Sequence, residues 1–460
     1  MGTAHYRLWL LAAAGTLLDG FSIGALGLAL PLVIPQMGID AAMVGFVGAA
    51  IVLGAGIGAA LGGPAGDRWG RRRLMLADMA LIAVGALVGT LAPGPMMLLL
   101  GQLLVGVGIG MDFPVGGAYV SEMMPRKYRG RMMVATIACQ SIGMMLAVGL
   151  ALALLSNGGN LDRWRFLVGG VGAVAAVFLM ARVRLPESVR WLMSQGRNAD
   201  AAIAIARVIP GKQAQALNLA TAAGAAVHHV ALVAAREAPP GFRTLFSRPY
   251  IARTILVSVP WFLMDIATYG VGLFTPVILG AVHLEGGRSG PVAQDFASAR
   301  GSGVIDLFLL LGFLAGLWLV PTFGRIRMQV VGFAGMAVGM LLLLGSTSLP
   351  SDSDLRVPVV FAGFVVFNLL MNAGPNATTF TLAPELFPTH LRGSAGGFAA
   401  GFAKAGATLG VFVLPVVKGA LGIPAVLGLM AAVSLLGLTV TALFGHEVSE
   451  GLPLEGQQRG

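Results

Sequence analysis

Apolar stretches of about 20 residues, the length that carries an α-helix across ~30 Å of hydrocarbon, recur along the whole of this 460-residue chain. A bilayer offers their backbone groups no water, so each stretch must satisfy them internally as helix. About twelve spans can be read: residues 8–34, 43–66, 73–93, 96–123, 132–156, 164–184, 252–282, 303–322, 328–347, 357–383, 394–418 and 421–445. With 57% hydrophobic residues, 11% charged residues and a mean hydropathy of +0.84, the chain has too little polar surface for a soluble globule of its size. The expectation is an all-α polytopic membrane protein whose solvent is the lipid bilayer. The first stretch is expected to be retained, because it is longer than a leader's apolar region, carries Asp19 and lacks a small-residue cleavage site.

A formal charge of +10 does not point to nucleic acid here, because the basic residues sit in short loops between spans. Arg68, Arg71, Arg72 and Arg73 follow span 2; Arg126, Lys127, Arg129 and Arg131 follow span 4; Arg325 and Arg327 follow span 8. The loops of the other side, residues 35–42, 94–95 and 348–356, are poor in Lys and Arg. The positive-inside rule then puts both termini in the cytoplasm, with which an even span count agrees, and the Ala/Gly/Arg-rich short-loop style suggests a bacterial inner membrane. Cys139 is the single cysteine, which excludes an intramolecular disulfide and reads as a packing residue. The adjacent His228 and His229 have poor spacing for shared metal ligation and read as solvated. No nucleophile–base pair, phosphate-binding glycine loop or metal cluster is visible, so we expect no catalytic residues, no cofactor and no metal.

The longest polar stretch, residues 185–250, divides the spans six and six. The expected organisation is a first six-helix bundle (1–184), a cytoplasmic connector (185–250) and a second six-helix bundle with a short cytoplasmic tail (251–460), working as a monomer. The halves echo each other: Glu122-Met123-Met124-Pro125-Arg126-Lys127-Tyr128-Arg129-Gly130 and Glu385-Leu386-Phe387-Pro388-Thr389-His390-Leu391-Arg392-Gly393 both read Glu-x-x-Pro-x-x-x-Arg-Gly. A weaker echo sets Asp19 and Gly24 of span 1 against Asp265 and Gly270 of span 7. Such repeats point to two bundles rocking about a central site.

The loop Gly63-Pro64-Ala65-Gly66-Asp67-Arg68-Trp69-Gly70-Arg71-Arg72 resembles the signature between spans 2 and 3 of the major facilitator superfamily, and Pro186-Glu187-Ser188-Val189-Arg190-Trp191 resembles the element after span 6 in its sugar-porter-like branch. The resemblance implies the twelve-helix major facilitator fold. Asp67, Arg68 and Arg71, with Glu187 and Arg190, are expected to form a charged gate at the cytoplasmic helix ends. Glu122 with Arg129, and Glu385 with Arg392, are expected to act likewise.

An ionised group at the bilayer centre costs roughly 2.5–3.5 kcal/mol on insertion scales, which makes Asp19, Asp112 and Asp265 functional candidates. Asp78 and Asp306, nearer span ends, are expected to reach water. Trp261, Asp265 and Tyr269 fall at i, i+4 and i+8, placing an indole, a carboxyl and a phenol on one helical face suited to an oxyanion. Asn368, Asn372 and Asn376 repeat that spacing in span 10, where Gly374 and Pro375 should interrupt the helix ladder. Gln140 of span 5 adds an amide, and Lys404 of span 11 adds a cation.

These residues resemble a narrower family, the phosphate:proton symporters, in spans 4 (Gly106 to Pro114), 7 (Trp261 to Gly270), 10 (Asn372 to Phe380) and 11 (Ala403 to Ala407). That resemblance implies phosphate as substrate, bound by Gln140, Trp261, Asp265, Tyr269 and Asn376, with Asp19 and Asp112 serving the proton path. Asn372 and Lys404 join the site on their position. Two positions depart from the family pattern: Phe113 stands where it usually has tyrosine, and Ser22 where it has a second acid. A protonated Asp265 would donate to the anion and couple the two ligands reciprocally. The alternatives are a proton symporter of another solute, such as an organic acid or a sugar, and a phosphate-sensing receptor.

Overall fold

The computed structural model describes residues 2–156, 160–208, 242–281, 291–350, 353–387 and 391–451. His228 and His229 lie outside them, as does the side chain of Asp306. Among the described residues eleven helices are long and apolar enough to cross a membrane, and a shorter apolar one, Leu307–Phe323, falls where span 8 is expected. Long, unbroken apolar sequence therefore does what it must in lipid.

Span 1 is a broken pair, Thr3–Ala12 and Ala14–Met37. Span 2 is Ala41–Trp69, span 3 Arg71–Thr90, span 4 Pro95–Met123, span 5 Arg126–Leu155 and span 6 Trp164–Arg182. The short helices Val189–Ser194 and Asn198–Val208 begin the polar stretch. Span 7 is Ile251–Ala281, span 8 lies in Pro291–Phe323, and span 9 is Arg325–Ser346. Span 10 breaks at Gly374 into Arg356–Ala373 and Pro375–Leu386, as Gly374-Pro375 demands. Spans 11 and 12 are separate helices, as expected, parted within Arg392–Gly451 by the non-helical Gly422, where φ is 82°. A glycine accepts that dihedral without strain, which turns the chain without a loop.

Within the first half, spans 2 and 3 pack on span 4, and spans 1, 3, 5 and 6 pack together; within the second, span 7 packs on span 11 and span 9 on spans 10 and 12. Between the halves, span 2 meets span 11 and span 5 meets span 8. Polar groups freed by the breaks find partners. Thr378 and Thr379 return hydroxyl hydrogen bonds to the Gly374 and Pro375 carbonyls, and Gln329 bridges Thr378 (2.9 Å) to Thr441 (3.0 Å) across spans 9, 10 and 12. At the span 1 break, Thr16 donates to the carbonyls of Ala13 and Thr136.

Spans 2 and 4 cross closely: a Cβ on Gly54 or Gly58 would overlap span 4 backbone and one on Gly106 or Gly110 would overlap span 2 backbone. Apolar burial gives little drive between helices in lipid, so close backbone approach supplies the packing energy. Gly106→Val should destabilise the purified protein by about 1–3 kcal/mol through overpacking. The measurement is thermal unfolding in detergent with monodispersity as control; an unchanged transition would remove this crossing from the account.

Candidate functional site

Gly70 and Gly324 take positive φ (98° and 89°) immediately before spans 3 and 9, and each launches an arginine toward a carboxylate. Arg71 is buried: its Nη2 donates to Asp67 Oδ1 (2.8 Å) and Glu122 Oε1 (3.0 Å), and its Nη1 to the Gly66 carbonyl (2.7 Å). Glu187 accepts from the backbone N–H groups of Arg71 (2.9 Å) and Arg72 (3.1 Å), Ser188 donates to Glu122, and the Trp191 indole donates to the Asp67 carbonyl (2.9 Å). In the second half, Arg325 pairs with Glu385 at 2.9 Å.

Glu385 engages Arg325. One expected pairing is corrected: Glu122 engages Arg71 and Ser188 rather than Arg129. A residue seven further on, past a helix break, is a poorer partner than an arginine rooted beside the carboxylate by a left-handed glycine. The side chain of Arg392 lies outside the described residues. Arg68 stacks over Trp69 at 6.0 Å instead of joining the cluster, and no contact places Arg190 in it.

The glycine that ends each repeated motif lies against the opposite half. A Cβ on Gly393 would overlap the Asp67 carboxylate, and a Cβ on Gly130 would crowd Arg325. The halves are thus joined at their arginine-rich ends, with an anion at the N-terminus of span 11.

Deeper in, Lys404 Nζ lies 3.3 Å from Asp265 Oδ2, hydrogen-bonds Tyr269, and sits 5.3 Å from the Phe113 ring. Trp261 lies one turn before Asp265 in the same helix. Facing them from the first half, Gln140 donates to Asp19 at 2.6 Å, and Asp19 is within electrostatic range of Lys404. On the arginine-rich side of Lys404, Phe113, Gly117, Trp261, Phe380, Gly396 and Ala400 line a small apolar chamber between the halves. Phe113 packs on Phe380 (6.2 Å, edge-on) and on Trp261 (6.3 Å).

The asparagines serve mainly the helix break. Asn368 and Asn372 donate to carbonyls one turn earlier and Asn376 donates to the Asn372 side chain (2.8 Å); of the three, Asn376 alone is not buried.

Sequence reasoning missed Arg182 and underrated Asp78. Arg182 binds Asp78 (2.9 Å) and Asp112 (2.8 Å), and Asp78 is fully buried, which corrects the expectation of water access. An arginine at a span end ordinarily snorkels to water, so only a partner acid on another helix reveals this one.

Residues 8–460 match the family described as "Sugar (and other) transporter". The chain belongs to that family. Its fold is that of the major facilitator superfamily: the proton:xylose symporter XylE, solved bound to 6-bromo-6-deoxy-D-glucose, superposes with a TM-score of 0.78 at 20% identity, covering 96% of each chain. The putative metabolite transport protein YaaU of Escherichia coli (strain K12) is 26% identical over 99% of this chain and 97% of its own length. A probable inorganic phosphate transporter 1-6 of Arabidopsis thaliana is 28% identical over 95% and 88%. This is a multi-pass membrane transporter of small solutes and not an enzyme.

Gly393→Ala should loosen the arginine-rich closure by displacing Asp67 from span 11. In a Cys139→Ala background, a cysteine at Ala400 should then react several-fold faster with a water-soluble maleimide. Equal labelling rates would show that the Asp67–Gly393 contact does not hold this end shut.

Proposed function

We propose that this protein is a proton-coupled symporter of a small organic anion, working by alternating access in a cell inner membrane with its arginine-rich ends and both termini in the cytoplasm. The observation that carries this reading is the Lys404–Asp265 pair. Among the described residues Lys404 is the one buried cation of spans 7–12, and it faces the first half beside aromatic walls. A buried cation answers an anion, and flat rings suit an organic body more than a bare oxyanion. The family description and the metabolite transporter of E. coli support an organic solute over phosphate.

Coupling follows from charge balance. A solute carboxylate that takes Lys404 from an ionised Asp265 leaves an uncompensated buried anion, a penalty of several kcal/mol. A proton on Asp265 removes it, so anion and proton bind together and each raises the other's affinity equally. In this scheme Lys404, Tyr269, Trp261 and Gln140 hold the solute, Asn372 and Asn376 shape the broken span, Phe113 walls the chamber and Asp19 faces the cation. Release happens once the Asp67, Arg71, Glu122 and Glu187 cluster parts from span 11. Spans 1–6 and 7–12 move as two bundles, with residues 185–250 as the connector.

Phosphate is the second reading, favoured by the donor set of Gln140, Trp261, Tyr269 and Lys404 and by the Arabidopsis relative. Radiolabelled uptake into proteoliposomes under an inward proton gradient separates the two. Small carboxylates should drive and compete for uptake; competition by phosphate and arsenate alone would establish the second reading, and competition by neutral sugars alone would reject both.

Two substitutions test the pair. Lys404→Gln should cost at least about 2 kcal/mol of solute affinity, roughly thirtyfold. Asp265→Asn should abolish gradient-driven accumulation while retaining exchange, and accumulation with wild-type pH dependence in that variant would remove Asp265 from the coupling.

A further inference from the structure

Polarity changes sides at Lys404. Its ammonium meets the Asp265 carboxyl and the Tyr269 phenol, with the Asp19–Gln140 pair of the first half in electrostatic range. The chamber on the arginine-rich side of Lys404 is built of different material. Among the described residues that line it, the Trp261 indole carries the only side-chain nitrogen or oxygen, and no Leu, Ile or Val contributes. Its walls are three rings, Phe113 from the first half and Trp261 and Phe380 from the second, and the rest is proline, glycine and alanine. Phe113 meets Trp261 tilted at 59° and Phe380 edge-on at 76°.

The polar and apolar regions adjoin. The centre of the Phe113 ring lies 5.3 Å from Lys404 Nζ, so a solute held at Lys404 by a carboxylate places its next atoms against that ring. Those atoms leave water for a chamber with almost nothing to hydrogen-bond. A hydroxyl buried there without a partner loses roughly tenfold or more in affinity. An aromatic ring gains twice, by burying apolar surface and by edge-on contact with the walls. Gly396 marks where room remains: a Cβ there would meet no atom within 4 Å, whereas one on Gly117 would press on the edge of the Phe380 ring at 3.1 Å.

We infer that the solute is an aromatic monocarboxylate, its carboxylate at Lys404 and its ring in the chamber among Phe113, Trp261 and Phe380, and that this chamber selects against polyhydroxylated acids. One buried cation answers one carboxylate. The inference rests on the organic-anion reading and narrows it.

Calorimetric titration of the protein in nanodiscs at pH 6, with empty nanodiscs as the blank, tests it with benzoate, acetate and gluconate. Benzoate should bind at least about tenfold more tightly than either of the others. Lys404→Gln should weaken benzoate binding, which places the measured heat at this site. Gly396→Leu, which fills the chamber, should remove the margin of benzoate over acetate; Gly396→Met fills the same space if Gly396→Leu does not fold. Acetate or gluconate binding as tightly as benzoate, or a benzoate margin that survives in a folded Gly396 variant, overturns the inference and leaves the organic-anion reading in place. If none of the three binds to monodisperse wild-type protein, that reading falls with it.

Discussion

A charge inside a bilayer survives only beside an opposite charge, and that constraint places the helices of this protein more firmly than apolar packing does. Arg71, Arg182 and Lys404 are the buried cations among the described residues. Each is paired across helices, Arg71 with Glu122, Arg182 with Asp78 and Asp112, Lys404 with Asp265. Hydrocarbon gives one apolar helix little reason to prefer another, whereas an arginine and a carboxylate on different spans must find each other or remain at high cost. The remaining specificity comes from glycines, which let backbones approach where the charges already require it.

The three clusters differ in what surrounds them, and that difference assigns them different work. The Asp67 side chain keeps 24% of its surface exposed, so its pair with Arg71 lies where water can replace it when the ends part. Lys404 lies between the halves, where under the proposed function the solute reaches it. Arg182 lies within one half, where neither water nor solute competes. A bundle that rocks as a unit keeps the third cluster intact while the first is remade and the second exchanges partners.

Much of this was legible in the sequence. Span lengths follow from the bilayer thickness, and the break in span 10 follows from Gly374-Pro375. The Glu-x-x-Pro-x-x-x-Arg-Gly repeat marks two of the places where the halves touch, and the spacing of Trp261, Asp265 and Tyr269 found the helix face on which Lys404 lands. Partner choice was not legible. Glu122 meets an arginine 51 positions away rather than the one seven positions on, and Arg182 resembles any topological arginine until its acids, 104 and 70 positions back, are seen beside it. Linear spacing records the face of one helix and carries no information on which helix stands opposite.

Phe113 shows how one side chain joins the site to the closure. Its ring lies under the Lys404 ammonium and packs on both Trp261 and Phe380. A phenol at that position would offer the ammonium or the solute a hydroxyl; phenylalanine offers only the face of its ring, so Lys404 is held there by quadrupole attraction and by Asp265. Under the proposed function, an anion that draws Lys404 toward itself weakens that cation–π contact and frees Phe113 to move against Phe380. Phe380 sits five residues before Glu385, whose partner Arg325 lies against Gly130 of the other half. Under that reading Phe113, Phe380 and then the helix Pro375–Leu386, which carries both Phe380 and Glu385, connect the solute at Lys404 to the contact between the halves at Gly130.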